Sequence, residues 1–193
     1  VNGNLFLRTL FLTGAFFFFT SRGAQFGVVV LAANAILINL LQMLAYGLDG
    51  FAQAAESLTG GAFGAKNRQA FQQAVKSSTL WAGVMACLIA ILYVLFGASI
   101  ISAMTVNSEV IDTAVSYLPW LIAAPVIAVW SYQFDGVFTG AMATRTMRNT
   151  VLFSAAVYVG LVFLLTPWLG NHGLWLSMML FLGLRGISLG LAY

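Results

Sequence analysis

The sequence predicts an all-α integral membrane protein, a bundle of six transmembrane helices, and three observations carry that prediction. The first is composition: 61% of the 193 residues are hydrophobic and only 7% are charged, with a mean hydropathy of +0.96. A soluble domain carries about 25% charged residues, so this chain could not keep a surface wet. The second is length: apolar runs approach or exceed the ~20 residues that cross a hydrocarbon core of ~30 Å. They recur to the end of the chain, which no cleavable leader does. The third is spacing, because long runs joined by short turns favour helices over the ~10-residue strands of a barrel.

The six runs are Leu5–Ser21, Gly27–Leu58, Val75–Met104, Val115–Ala141, Val151–Leu169 and Leu174–Leu191. The first carries Thr9, Thr13 and Thr20 at helical spacing, a polar face on an otherwise aromatic helix. RGAQFG then makes a turn, with Gly23 and Gly27 as its permissive residues. The second run is expected to stop at Gly60, Gly61 and Gly64. Lys66–Ser78 follows, with Ala70, Phe71, Ala74 and Val75 on one face and polar residues on the other, the pattern of a short amphipathic linker at headgroup level. The third run is the most uniformly apolar; its Cys87 is expected to be buried, as free cysteines commonly are. Asn107 or Ser108 caps the fourth run, Glu109 and Asp112 suit the start of its helix, and Pro125 should kink it. TPWLGNHG joins the last two runs as a tight turn, with Trp168 and Trp175 expected at the membrane interface and His172 exposed. Val1 in place of an initiating Met is what a fragment or a trimmed chain would show.

Orientation follows from the loops. Arg8, Lys66, Arg68, Lys76, Arg145 and Arg148 fall on one side, while Arg22, Glu109 and Asp112 fall on the other. By the positive-inside rule the first set, with both chain ends, is cytoplasmic.

One stretch stands apart. In NLLQMLAYGLDGFAQAAE, Asn39, Gln42, Tyr46, Asp49, Gln53 and Glu56 follow one another at three- and four-residue steps, a continuous stripe on a helix. In a chain this apolar the stripe is expected to face a wet pathway. Asp49, Glu56 and Asp135 are acids at or near membrane depth, where each costs about 2.5–3.5 kcal/mol on insertion scales and is functional by default. Asp135, sharing a face with Ser131 and Thr139, is expected near the midplane, Asp49 in the cytoplasmic half and Glu56 at the mouth. The site is therefore expected to comprise Asp135, Asp49, Gln42, Asn39 and Tyr46 as cation and substrate ligands. Gln53, Glu56 and Arg185 would form a gate or tether, and the bland alternative is that the acids only tie helices together, with Arg185 as counter-ion. GxxxG spacings at Gly23/Gly27, Gly60/Gly64, Gly136/Gly140 and Gly186/Gly190 allow close helix contact. A lone Cys and a lone His leave no Cys/His metal site or internal disulfide. No phosphate-binding loop or catalytic constellation appears, and no nucleic-acid signature, so the chain does not read as an enzyme.

GLDGFAQAAESLTGGAFGAKNR (47–68) and FDGVFTGAMATRTMRN (134–149) resemble the signature segments of the multidrug and toxin extrusion (MATE) transporters, in particular their DinF-like branch. NSEVIDTAVSYLPWL (107–121) is of the same kind. The resemblance implies the C-terminal six-helix lobe of a twelve-helix transporter of a bacterial inner membrane, with an N-terminal lobe outside this chain supplying the facing wall of a cleft. It further implies export of small lipophilic, often cationic compounds by antiport, with a proton or sodium ion as coupling ion and no other cofactor. Asp135 matches the helix-ten acid of that family. The first helix here has Thr and Phe where some relatives carry a glutamate, which favours protons over sodium. Two alternatives stay open: a lipid or lipid-linked flippase, and a non-transporting membrane scaffold.

Overall fold

The computed structural model describes residues 2–193. Among them are six α-helices: α1 (Asn2–Gly23), α2 (Val28–Gly64), α3 (Arg68–Met104), α4 (Ser108–Gly140), α5 (Thr144–Leu169) and α6 (Asn171–Ala192). All six are long and apolar enough to cross a membrane. They alternate in direction. One end of the bundle gathers the start of α1, the end of α6 and the basic loops around Lys66 and Arg145; it is called the basic end below.

Helix boundaries extend past most of the apolar runs. α3 begins at Arg68 and continues unbroken for 37 residues, about 55 Å at helical rise. The amphipathic segment 66–78 is therefore not a separate linker; its helical part forms the first turns of α3, started by Asn67, whose side chain accepts from Ala70 N–H. The expected glycine stop falls at Gly64 alone, since α2 runs through Gly60 and Gly61. An isolated glycine weakens a helix without ending it. The turn falls on Lys66 instead, at φ 53°, and Met142 repeats it at φ 56° after α4. Asn107 caps α4 by accepting from Glu109 N–H and Val110 N–H. α4 stays continuous through Pro119 and Pro125, and Pro167 lies inside α5, whose end is set by Gly170.

Neighbouring helices in a membrane gain little from the hydrophobic effect, because lipid is as apolar as leucine; close packing of small residues takes its place. α2 and α4 run parallel along such a seam. A Cβ on Gly136 would overlap the Ala52 carbonyl, and one on Gly140 would overlap Thr59 and the Glu56 carbonyl. A Cβ on Gly186 of α6 would come within 2.9 Å of Trp130 and 3.0 Å of Ser131 on α4. α1 is placed differently: it packs mainly on α5 and meets α2 chiefly near the connecting 3₁₀ turn, where Gly27 takes φ 97°.

The end opposite the basic loops is closed by a buried amide network. Asn34 Nδ2 donates to Asn171 Oδ1 at 2.7 Å, while Asn34 Oδ1 accepts from Asn171 Nδ2 at 3.0 Å and from Trp175 Nε1 at 2.9 Å. Trp175 is thus fully buried, edge-on to Phe19, rather than at the interface; Trp168 is exposed. Its indole N–H finds an internal partner and has no need of the headgroup region. His172 is exposed, with Nδ1 accepting from Trp120 Nε1 at 3.0 Å. Cys87 is exposed on α3, not buried. It shares that outer face with the exposed apolar side chains of Leu80, Val84 and Leu88.

The seam yields a prediction. Gly136→Ala should lower the thermal midpoint of the detergent-solubilised protein by several degrees, since overpacking costs about 1–3 kcal/mol. Gly160→Ala, whose Cβ meets nothing within 4 Å, should leave it unchanged. Equal midpoints would show that the α2–α4 approach is not a stabilising contact.

Candidate functional site

The polar stripe of α2 lies on the outside of this bundle. Asn39, Gln42, Tyr46, Gln53 and Glu56 are exposed, and Asp49 is half-buried. None of the chain's own helices covers the stripe. It borders the gap between α1 and α2, and Thr9, Thr13 and Thr20 are likewise exposed on α1. The inward-facing pathway expected from the sequence is therefore not enclosed by these six helices.

Asp135 is buried at the floor of that gap, on α4. Its Oδ2 accepts from Arg185 Nη2 of α6 and from Arg8 Nη2 of α1. The Arg185 side chain is 1% exposed and that of Arg8 is 22% exposed. Arg185 also lies over the Tyr132 ring, its guanidinium carbon 5.7 Å from the centroid. Asp49 feels the charges of Arg8, Asp135 and Arg185 but makes no ion pair among the described residues. The cluster is thus Arg8, Asp49, Tyr132, Asp135 and Arg185: two cations and two acids, with only one acid paired.

The structure revises several expectations. Arg185 does serve as counter-ion, and it does so for Asp135. Arg8, expected among the cytoplasmic loop charges, instead reaches into the bundle and shares the same carboxylate. An acid on a neighbouring helix could have flagged it, because Arg8 lies inside the first apolar run. The expected depth order also changes. Gly136 lies level with Ala52 along the parallel seam, so Asp49 sits about 3 Å farther than Asp135 from the basic end. Asp135 itself is five residues before the end of α4, in its last third and not at its middle. Ser131 and Thr139 share its face as expected, but each hydroxyl bonds back to its own helix, to Ala128 O and Asp135 O. Glu56 makes no ion pair among the described residues. Asn34 and Gln133 were not singled out by sequence, although each is an amide on an apolar helix. Gln133 is buried and donates to Ser78 Oγ at 2.6 Å.

The buried triad on one carboxylate, set beside an unpaired acid on an open helix face, is a charge site in a membrane bundle. The MatE family model matches residues 5–166. The chain belongs to the MATE family. It is 40% identical over 189 residues to the DNA damage-inducible protein F of Escherichia coli (strain K12), covering 98% of this chain and 41% of that protein. The MATE chain described here thus spans about two fifths of the length of that relative. A MOP superfamily transporter from Pyrococcus furiosus, described as having a binding pocket of reverse polarity, superposes with a TM-score of 0.87 at 15% identity, covering 97% of this chain and 42% of its own. Outward- and inward-facing structures of a multidrug resistance MATE transporter give TM-scores of 0.85 and 0.86, each at 19% identity. They cover 94% and 96% of this chain and 42% and 44% of their own. At such identities the likeness establishes the fold, one lobe of the MATE architecture.

A buried ion pair that loses one partner is penalised far more than one that never existed. Asp135→Leu, which strands Arg8 and Arg185, should therefore destabilise the protein by about 3–5 kcal/mol. Asp135→Leu combined with Arg8→Met and Arg185→Met should recover most of that loss in thermal unfolding. A triple variant no more stable than the single one would show that the cluster does not tie α1 and α6 to α4.

Proposed function

We propose that this chain is the C-terminal lobe of a proton-coupled MATE exporter in a bacterial inner membrane. In this reading its open α1–α2 face forms one wall of a cleft completed by an N-terminal lobe. The observation that carries the reading is the division of labour between the two acids. Asp135 has its charge committed to Arg8 and Arg185, so a cationic cargo would have to displace a guanidinium to use it. Asp49 lies on the accessible face with no ion-pair partner among the described residues. Asp49 is therefore the group for which a proton and a lipophilic cation would compete, and that competition is the elementary step of antiport. Asn39, Gln42 and Tyr46 continue the same stripe and supply hydrogen bonds to cargo. Asp135 acts as the fixed support of the site rather than as the exchanging group.

A lipid or lipid-linked flippase is the second reading. It calls for cations on the cleft wall, and Arg8, whose side chain is partly exposed, supplies one. Scrambling of a labelled phospholipid by the full-length protein in vesicles, at a rate above protein-free vesicles, would favour it.

The antiport reading predicts that the full-length protein in proteoliposomes moves tetraphenylphosphonium against an imposed proton gradient and not against a sodium gradient. Asp49→Asn should reduce that movement to the protein-free rate while the thermal midpoint changes by no more than a few degrees. Gradient-driven transport that survives Asp49→Asn would remove Asp49 from the coupling step.

A further inference from the structure

Two guanidiniums converge on one carboxylate oxygen, and that geometry leaves donors over. A guanidinium carries five N–H donors, and its best partner takes two of them in parallel. Here Arg8 and Arg185 each give a single nitrogen to Asp135 Oδ2. Arg8 Nε and Arg185 Nε are buried without a hydrogen-bond partner, and so is Asp135 Oδ1. Buried polar groups are almost always satisfied, and a charged donor left without an acceptor is among the costliest exceptions. Arg8 is the member that can be reached, because part of its side chain is exposed while Arg185 is sealed. Asp49, on the next helix, presents the opposite charge to the same gap.

We infer that Arg8 is an oxyanion subsite beside the Asp49 cation subsite, so that the favoured ligand is a zwitterionic amphiphile. Its oxyanion, a phosphate or carboxylate, takes the free guanidinium edge of Arg8. Its cationic group sits at Asp49, and its apolar tail extends out of the gap. The inference rests on the exporter reading for the role of Asp49 and adds a second polar contact that fixes which cations are carried. It is also compatible with proton exchange: a proton on Asp49 displaces the cationic group and leaves the oxyanion held by one contact only.

Equilibrium binding to the full-length protein, without any gradient, tests this separately from transport. Three probes with the same tail suffice: octylphosphocholine, octyltrimethylammonium and octyl phosphate, each followed by tryptophan fluorescence. The zwitterion should bind about tenfold or more tightly than the cation, the scale of one charge-assisted contact. Arg8→Gln should bring the zwitterion to the level of the cation and leave the cation itself within about twofold, while Arg8→Lys should retain part of the gain. Equal affinity of the cation and the zwitterion in the unaltered protein overturns the inference without reference to any variant. So does a parallel loss of both in Arg8→Gln, which would show that Arg8 acts on the cation site and not on the oxyanion. Inorganic phosphate serves as the fourth arm. If it raises the affinity of octyltrimethylammonium to that of octylphosphocholine, the oxyanion is a separate ion and the zwitterionic cargo is overturned. Absence of gradient-driven transport with these binding results intact would instead count against the exporter reading alone.

Discussion

One carboxylate on α4 holds a guanidinium from the first helix and another from the last. Burying three charges is expensive, several kcal/mol per ion even after relaxation, and the attraction among them recovers that only if the geometry is close. The helices that carry them cannot therefore be placed independently. α6 is already fixed against α4 by the close approach of Gly186 to Trp130 and Ser131. α1 has no such contact with α4, and it meets α2 chiefly at their connecting turn. For the half of α1 near the basic end, Arg8 and the packing on α5 do the positioning. Asn4, donating to Thr144 Oγ1 at 3.3 Å and accepting from Arg148 at 3.0 Å, extends that attachment to α5.

The seam between α2 and α4 then decides what faces the gap. Two parallel helices in contact through Gly136 and Gly140 have little freedom to slide, because any shift brings a side chain against backbone. The register so fixed places Asp49 almost level with Asp135. It also turns the stripe from Asn39 to Glu56 away from α4, onto the open face. The same rigidity keeps the two acids distinct: one is enclosed with its cations, and the other stays half-buried on the open face.

The parts of this arrangement visible in the sequence are those fixed by local pattern. Composition and run length gave six membrane-length helices, and the spacing of Asn39, Gln42, Tyr46, Asp49, Gln53 and Glu56 gave a single face. What sequence could not supply was the identity of the medium against each face. In water an apolar residue such as Cys87 is assigned to the interior, yet here the exterior is apolar too, and Cys87 lies outside. Trp175 was placed at the interface by the usual preference of indoles, but Asn34, 141 residues away in sequence, supplies its partner inside. Arg8 groups in the sequence with the basic loop charges, and its closeness to Asp135 is set only by the fold. Gly60 reads as a stop in the sequence, yet its role, contact with Gly140 of α4, is tertiary.

The placement of Arg8 has a consequence for how the lobe could change state. α1 is attached to its neighbours by the 3₁₀ turn at one end, by α5 along its length and by Arg8 at the floor of the gap. A movement that carries the basic half of α1 away from α4 must break Arg8 from Asp135, whereas α2, α4 and α6 can travel as one body through their glycine contacts. Whether breaking that pair is tolerable depends on what else can satisfy the guanidinium. The available groups are the Asp49 carboxylate across the gap, when ionised, and an oxyanion brought by a ligand. Protonation of Asp49 and occupancy of the gap therefore act on the same bond, the one that sets the distance between α1 and α4. Under the antiport proposal, that shared dependence is a physical route by which a proton and a cargo would bias one helix in opposite senses.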